Sequence, residues 1–326
     1  MPDITIFATP KRFAGQFDRI QRNAIESWIA LGPSAEVILI GDDDGTAEIC
    51  RQHGLRHVAE VATTAKGVPL VSDLWRIGQE HARTPIACFV NADIILMSDF
   101  VAAAKLVSSQ LTDFLMIGQR WDLELTQRLS ELDGGWPETL RTQAAAHGTL
   151  NSPLWVDYFA FPVGQYPELL PCVIGRPGYD HWIVWQTLER DIPVVDATDA
   201  VLAVHQHHDY SHGGGKRAVF YGDDADYNYR LIGGRAHLRH IGHATRRITA
   251  DGRIVAARGA KYTTSALHAR FAGVIGATAS VRHRLGLNAE LLQRLSRAKV
   301  PRDSAASAEK AIPTPHPATT SRQSHR

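Results

Sequence analysis

Apolar and polar positions switch period several times along the first hundred residues. Residues 3–9 (DITIFAT) alternate and are β-branched, which predicts a strand that Pro10 ends. Phe17, Ile20, Ala24, Trp28 and Leu31 then fall at helical spacing, and Gly32-Pro33 stops the helix. EVILI at 36–40 predicts a second strand, 46–53 a helix, 56–61 a short third strand and 71–82 another helix. Ile86 to Val90 is a wholly apolar run, the mark of a strand covered on both faces. This β-α-β-α-β-α-β order predicts an α/β fold with a doubly wound, mostly parallel sheet and right-handed crossovers.

The later pattern is less regular. It predicts a helix at 98–109, a strand at 114–118, and a polar, loosely helical stretch at 123–150 with the character of an insertion. A strand at 155–161, a helix at 180–189, short strands at 192–195 and 201–204, and a helix at 225–231 follow. Residues 237–258 form a small β element that turns at Asp251-Gly252, and 289–298 an amphipathic basic helix. The expected organisation is one α/β domain over 1–235, a basic extension over 236–300, and a disordered Ser/Thr/Pro/Ala-rich tail over 301–326.

The apolar run at Ile86 breaks at Asn91-Ala92-Asp93 and resumes as Ile94-Ile95-Leu96. A carboxylate in such a context is costly to bury unless it is paired or binds a cation. Side chains at i and i+2 of an extended chain point the same way, so Asn91 and Asp93 offer an amide oxygen and a carboxylate together. Hard divalent cations take such oxygen ligands, and ligands of open α/β sheets bind beyond the carboxyl ends of strands. The plainer alternative is that Asp93 starts a turn before Ser98-Asp99. The second strand ends in Gly41-Asp42-Asp43-Asp44-Gly45-Thr46, where aspartates can accept from ribose or base donors or cap the next helix. Asp180 follows the turn Gly175–Gly178 at a helix start, a position that suits an N-cap. His205, His207, His208 and His212 cluster around Asp209, a set able to ligate a metal. Adjacent histidines of a strand face opposite ways, so His207 joins His205 if the chain stays extended, and His208 or His212 if it forms a compact loop.

Composition narrows the classes. Hydrophobic residues make up 44% of 326, enough for a sizeable core. The three cysteines lie far apart without a CxxC pair, which argues against a disulfide framework or structural zinc and fits a reducing compartment. The opening MPDITIFATPK turns polar too soon for a signal peptide, and no run approaches a membrane span, so a cytoplasmic location is expected. No GxGxxG follows a strand and no GxxxxGK[ST] occurs, which removes the usual dinucleotide and P-loop readings. The net charge of +1 conceals 14 Lys/Arg against two acids between 230 and 300, on an otherwise acidic chain. That segment suggests an anionic partner, a peripheral membrane contact among them.

Taken together, Ala8-Thr9-Pro10, the acidic turn at 41–46, Asn91-Ala92-Asp93 and His205, each at a strand end, resemble the GT-A-fold glycosyltransferases, family 2-like, over about residues 1–250. The resemblance implies a nucleoside diphosphate sugar donor, UDP forms first, contacted by Thr9, Asp42, Asp43 and Asn91. It implies a divalent metal on Asp93 with His205 and His208. Imidazole ligands favour Mn²⁺ over Mg²⁺. Asp180 becomes the general base of an inverting transfer, and Trp121, Asp122, Asp157 and Tyr158 the binding surface for a saccharide or lipid-linked acceptor. Nucleic acid is not an expected partner. The rivals are a sugar-nucleotide nucleotidyltransferase, which needs a glycine-rich basic loop that Ala8 to Phe13 lacks, a non-catalytic binding protein of the same fold, and a histidine-centred metallohydrolase.

Overall fold

A computed structural model describes residues 2–132, 134–208, 215–267 and 269. The chain opens with β1 (Ile4–Ala8), α1 (Gln16–Ile29), β2 (Ala35–Ile40), α2 (Thr46–His53), β3 (Arg56–Val58), α3 (Val71–His81) and β4 (Ile86–Val90). Next come β5 (Ile94–Ile95), α4 (Ser98–Gln110), β6 (Leu115–Ile117), β7 (Arg120–Leu123), α5 (Trp136–His147) and β8 (Thr149–Leu150). β9 (Tyr158–Pro162), α6 (Tyr179–Glu189), β10 (Val194–Asp196), β11 (Ala203–Gln206), α7 (Lys216–Tyr221), α8 (Asp223–Leu231), β12 (Arg246–Ile248) and β13 (Ile254–Ala256) complete it.

Two sheets divide these strands. The larger has the order β13-β12-β10-β6-β9-β4-β1-β2-β3. Its pairings are parallel except around β9, which runs against β4 and β6, and at the edge hairpin of β12 and β13. This is the mostly parallel α/β sheet that the sequence predicts. β1 and β4 are buried at every position, because helices cover both faces. Ile4, Ile6 and Ala8 of β1 pack with Ala24 and Trp28 of α1 and Phe100 of α4, whereas Phe7 points to the other face, against Trp75 of α3. Gly78 of α3 lies so close to Phe7 that a Cβ would stand 2.5 Å from its ring, so glycine permits the helix to seat there.

The smaller sheet, β5-β11-β7-β8, is what positions the site. Its β7 and β8 grow out of residues that the sequence reads as a turn and an insertion, whereas β11 overlaps the strand predicted at 201–204. β7 begins at Arg120, two residues beyond the predicted end of the preceding strand, and α5 packs against it over Leu123, Leu129 and Leu140. β11 pairs with β7 in parallel and with β5 in antiparallel fashion, so one strand joins the chain after β4 to the chain after β6. α1 ties in as well, since Trp28 Nε1 donates to the carbonyl of Ile94 at 3.0 Å.

The boundary expected at residue 235 does not separate two layers. β12, which lies beyond it, pairs with β10 and extends the same large sheet. The basic helix expected at 289–298 and the tail at 301–326 lie outside the described residues. Among the described residues, no helix is long and apolar enough to cross a membrane.

Candidate functional site

A cleft opens beyond the carboxyl ends of β1, β2 and β4. It has two lobes, of about 420 Å³ and about 340 Å³. Lys11, Asn91, Asp93, Arg176 and Tyr179 line both, so they form the seam. Thr9, Arg12, Asp43 and Lys66 belong to the first lobe, Trp155, Asp180, His181 and Phe220 to the second.

At the seam, Asp93, His205 and His208 present three ligand atoms that all lie within 4.8 Å of one another. Local structure explains the grouping. His205 sits within β11, opposite Ile94 of β5 and opposite Asp122 of β7. Its imidazole therefore spans two carboxylates, with Nδ1 3.0 Å from Asp122 Oδ1 and Nε2 3.7 Å from Asp93 Oδ2. The Nδ1 contact with Asp122 is close but lacks hydrogen-bond alignment, and Nε2 is the ring nitrogen on the Asp93 side. β11 ends at Gln206, and the His207 N–H still donates to the Leu123 carbonyl of β7 at 3.1 Å. His207 becomes exposed, and His208 folds back until its Nε2 lies 2.9 Å from Asp93 Oδ2. His208 rather than His207 therefore reaches the centre. His212 lies outside the described residues.

Asp93 Oδ1 is buried without a hydrogen-bond partner among the described residues. Burial alone would raise the Asp93 pKa, but the His208 hydrogen bond and the charges of His205 and Lys11 outweigh it and hold the carboxyl far below its usual range. An ionised carboxylate whose Oδ2 lies beside two imidazole nitrogens fits a divalent cation. One oxygen and two nitrogens suit Mn²⁺ better than Mg²⁺, which demands oxygen and water.

Beneath this cluster runs a layer of mutually satisfied polar groups. Arg120 donates from Nη1 to both Asp157 oxygens, at 2.9 and 3.0 Å, and from Nε to Asp122 Oδ1 at 3.1 Å. Asn91 Nδ2 donates to Asp157 Oδ1 at 2.8 Å, and its backbone N–H donates to the Asp157 carbonyl at 2.9 Å. Asn151 Nδ2 donates to Asp122 Oδ2 at 2.6 Å. Burial opposes ionisation of Asp122, and its bonds to His205 and Arg120 prevail, so its pKa falls below the usual range.

These contacts revise the expected acceptor surface. Asp157 is buried, its oxygens already engaged by Arg120 and Asn91. Asp122 lies behind His205 and does not line the cleft. Trp121 sits between Arg120 and Asp122 on β7 and so faces the opposite side of that sheet. Tyr158 is wholly buried, edge-on to Phe100, with its hydroxyl against Gly118. Only Asp157 of the four touches the cleft. In the first lobe Thr9, Asp43 and Asn91 are wall residues, whereas Asp42 is exposed and stands outside it. The Asp43 pKa is raised by partial desolvation and by the charges of Asp44 and Asp42. Asp180 stands in the second lobe in the first turn of α6, accepting from the Gly178 N–H at 3.2 Å.

Sequence reasoning passed over the cations. Lys11 follows β1 directly, and Gln21 of α1 clamps its backbone, accepting from the N–H at 2.6 Å and donating to the carbonyl at 2.8 Å. Burial lowers the Lys11 pKa, against the opposing pull of Asp93. Arg176 enters both lobes from the loop before α6. The Lys11-Arg12 pair directly after a strand end was the available signal.

No family model and no curated protein matches the chain. Solved structures with partial similarity exist. One is glucosyl-3-phosphoglycerate synthase from Mycobacterium tuberculosis in complex with Mn²⁺, UDP and glucosyl-3-phosphoglycerate. It is 17% identical, with 78% of this chain and 87% of that chain covered and a TM-score of 0.42. Another is S. aureus TarS 1-349 in complex with UDP, 14% identical over 38% of each chain, with a TM-score of 0.30.

Proposed function

We propose that this chain is a metal-dependent glycosyltransferase that moves a sugar from a nucleoside diphosphate donor to an acceptor hydroxyl. The observation that carries the reading is the Asp93–His205–His208 cluster, with its unpartnered Asp93 oxygen, at the seam of a two-lobed cleft. A cation shared between the lobes belongs where a donor's diphosphate meets its sugar.

The first lobe takes the nucleotide. Thr9 and Asp43 provide polar contacts for the nucleoside, and Lys11 and Arg176 face the diphosphate with positive charge. Gln21 keeps Lys11 at its post by holding the backbone on both sides. A divalent cation held by Asp93, His205 and His208, Mn²⁺ by the character of the donors, would act as a Lewis acid that neutralises the departing diphosphate. The Asp122 carboxylate lies against the Nδ1 side of His205, and Arg120 and Asp157 keep Asp122 and Asn91 in place.

The second lobe takes the acceptor. Its hydroxyl oxygen forms a bond to the anomeric carbon while the bond from that carbon to the diphosphate oxygen breaks. Asp180 receives the hydroxyl proton, and the nucleoside diphosphate leaves with the bonding electrons. Attack from the face opposite the leaving group inverts the anomeric centre. The sugar, the nucleotide and the saccharide or lipid-linked nature of the acceptor are part of the same proposal, with UDP as the first nucleotide to try.

A thermal-shift series of nucleoside diphosphates with and without Mn²⁺ tests it, because a ligand of the folded state raises apparent stability by mass action. The expected result is a rise with UDP that needs Mn²⁺ and disappears in Asp93→Ala. A metal shift that survives Asp93→Ala, with no response to any nucleotide, would favour a histidine-centred hydrolase instead.

A further inference from the structure

The second lobe has a chemical character that the proposed activity does not specify. Its wall is built from Leu154, Trp155, Val156, Val219, Phe220 and Tyr229. Trp155 and Phe220 meet edge to face at 6.1 Å between ring centroids, which makes an aromatic corner. Leu154, half exposed, continues the apolar wall to the mouth. The lobe thus runs from one carboxylate, Asp180, outward along apolar and aromatic surface.

The cations around it are already committed. The Arg120 guanidinium is bonded to Asp157 and Asp122, and its face lies 4.9 Å from the Trp155 ring centroid, so it stiffens the aromatic wall. Arg176 Nε lies 3.6 Å from Asp224 Oδ2. His181 Nε2 is 2.7 Å from the Leu154 carbonyl, which it meets as a donor. Lys11 stands at the seam, with the charges of Asp93 and Asp43 beside it. A phosphorylated or carboxylated acceptor entering here would find Arg120 held by Asp157 and Asp122, Lys11 and Arg176 turned to the donor diphosphate, and the negative charge of Asp180 beside it. The buried Arg120–Asp157 pair is expensive to break, because the partner left behind is an uncompensated charge.

Building on the glycosyltransferase reading, we infer that the acceptor is a neutral glycoside with an apolar or aromatic aglycone. Its reactive hydroxyl points to Asp180, and its flat apolar flank lies on Trp155 and Phe220. An aromatic ring covers the apolar face of a sugar or an aryl group while the hydroxyl keeps a polar partner. The lobe volume of about 340 Å³ accommodates a small glycoside of this kind.

The test is calorimetric titration of the full chain, preloaded with Mn²⁺ and UDP, with para-nitrophenyl β-glucoside, hexyl β-glucoside and glucose phosphate. The two neutral glycosides should bind, with affinity that changes little with salt, and glucose phosphate should not. Trp155→Ala should weaken the neutral probes by roughly tenfold, and Trp155→Phe should restore most of that loss. Phe220→Ala, on the short helix α7, gives the same readout should Trp155→Ala fail to fold. Tighter binding of glucose phosphate, failure of both neutral glycosides, or binding indifferent to both aromatic substitutions overturns the inference. Binding of UDP with Mn²⁺ is recorded on the same samples. If it persists while the glycosides fail, the acceptor class is wrong; if it is absent, the donor reading itself fails.

Discussion

Asp93 and Asp157 stand on neighbouring segments of one polar layer, and they meet opposite fates. Each follows or precedes an apolar strand, and each lies close to Arg120 or a histidine. Asp157 has two protein donors, Arg120 and Asn91, and its carbonyl takes the Asn91 N–H. Asp93 has His208 on one oxygen and no partner among the described residues on the other. A fully satisfied buried carboxylate holds a structure together, whereas Asp93 lines the cleft and sets Oδ2 beside two imidazoles. Their difference shows that burial and charge do not mark a functional acid. Unfilled capacity alone does not mark one either, since Asp99 Oδ1 and Glu26 Oε2 also lack partners among the described residues; Asp93 differs from them by lining the cleft beside two imidazoles.

The contrast can be broken most sharply at Asp93 itself. Asp93→Ala should lower kcat/KM by about a thousandfold or more, the several kcal/mol expected of a lost metal centre, while leaving the fold intact by circular dichroism. Asp157→Ala should do the reverse. Stranding the Arg120 charge should cost about 3 kcal/mol or more of stability in denaturant unfolding, and combining it with Arg120→Met should recover part of that loss. If Asp157→Ala folds with unchanged stability, the structural assignment fails.

A smaller effect is expected at the seam. Lys11→Ala should weaken Mn²⁺-dependent UDP binding by about tenfold in calorimetry, since hydrogen bonds to charged groups contribute roughly 1.5–3 kcal/mol. The pH dependence sharpens the comparison further. The folded Asp93 pKa lies below its unfolded value, so its stabilisation is present above the ordinary carboxylate range and is lost as pH falls through the folded value. Asp93→Asn should therefore flatten the acid limb of metal-free stability below about pH 4. A separate window belongs to His243, whose pKa burial and the Arg239 charge push down from 6.5 to about 4. The unfolded chain binds more protons there, so stability rises with pH across that window, and His243→Gln should remove the slope. The smallest effect concerns Tyr158. Its hydroxyl has no partner among the described residues, so Tyr158→Phe should change stability by less than about 1 kcal/mol and leave glycoside binding unaltered.

Local pattern carried much of the architecture. α2 (Thr46–His53) and β4 (Ile86–Val90) have the bounds that the apolar spacing predicts, and β1, α1 and α3 differ by a residue or two. Asp93 was legible because a carboxylate interrupting an apolar run contradicts its surroundings. The small sheet was not. Gln119-Arg120-Trp121-Asp122 reads as a polar turn, yet Arg120–Leu123 forms β7, because β11 supplies hydrogen-bonding partners from eighty residues away. α7 was missed as well, being too short for any period to show.

By itself, then, the sequence determined the order of strands and helices through β4, the mostly parallel sheet they form, and the place of Asp93 at a strand's carboxyl end. These follow from periodicity and propensity, which act over a few neighbouring residues. Only the tertiary structure decided which oxygens were left over. Asp122 was satisfied by Arg120 and Asn151 and Asp157 by Arg120 and Asn91, Trp121 was turned away by the two-residue period of β7, and His208 rather than His207 came to lie against Asp93. Hydrogen-bonding capacity is spent between residues distant in sequence, so what remains unspent at Asp93 is a property of the fold.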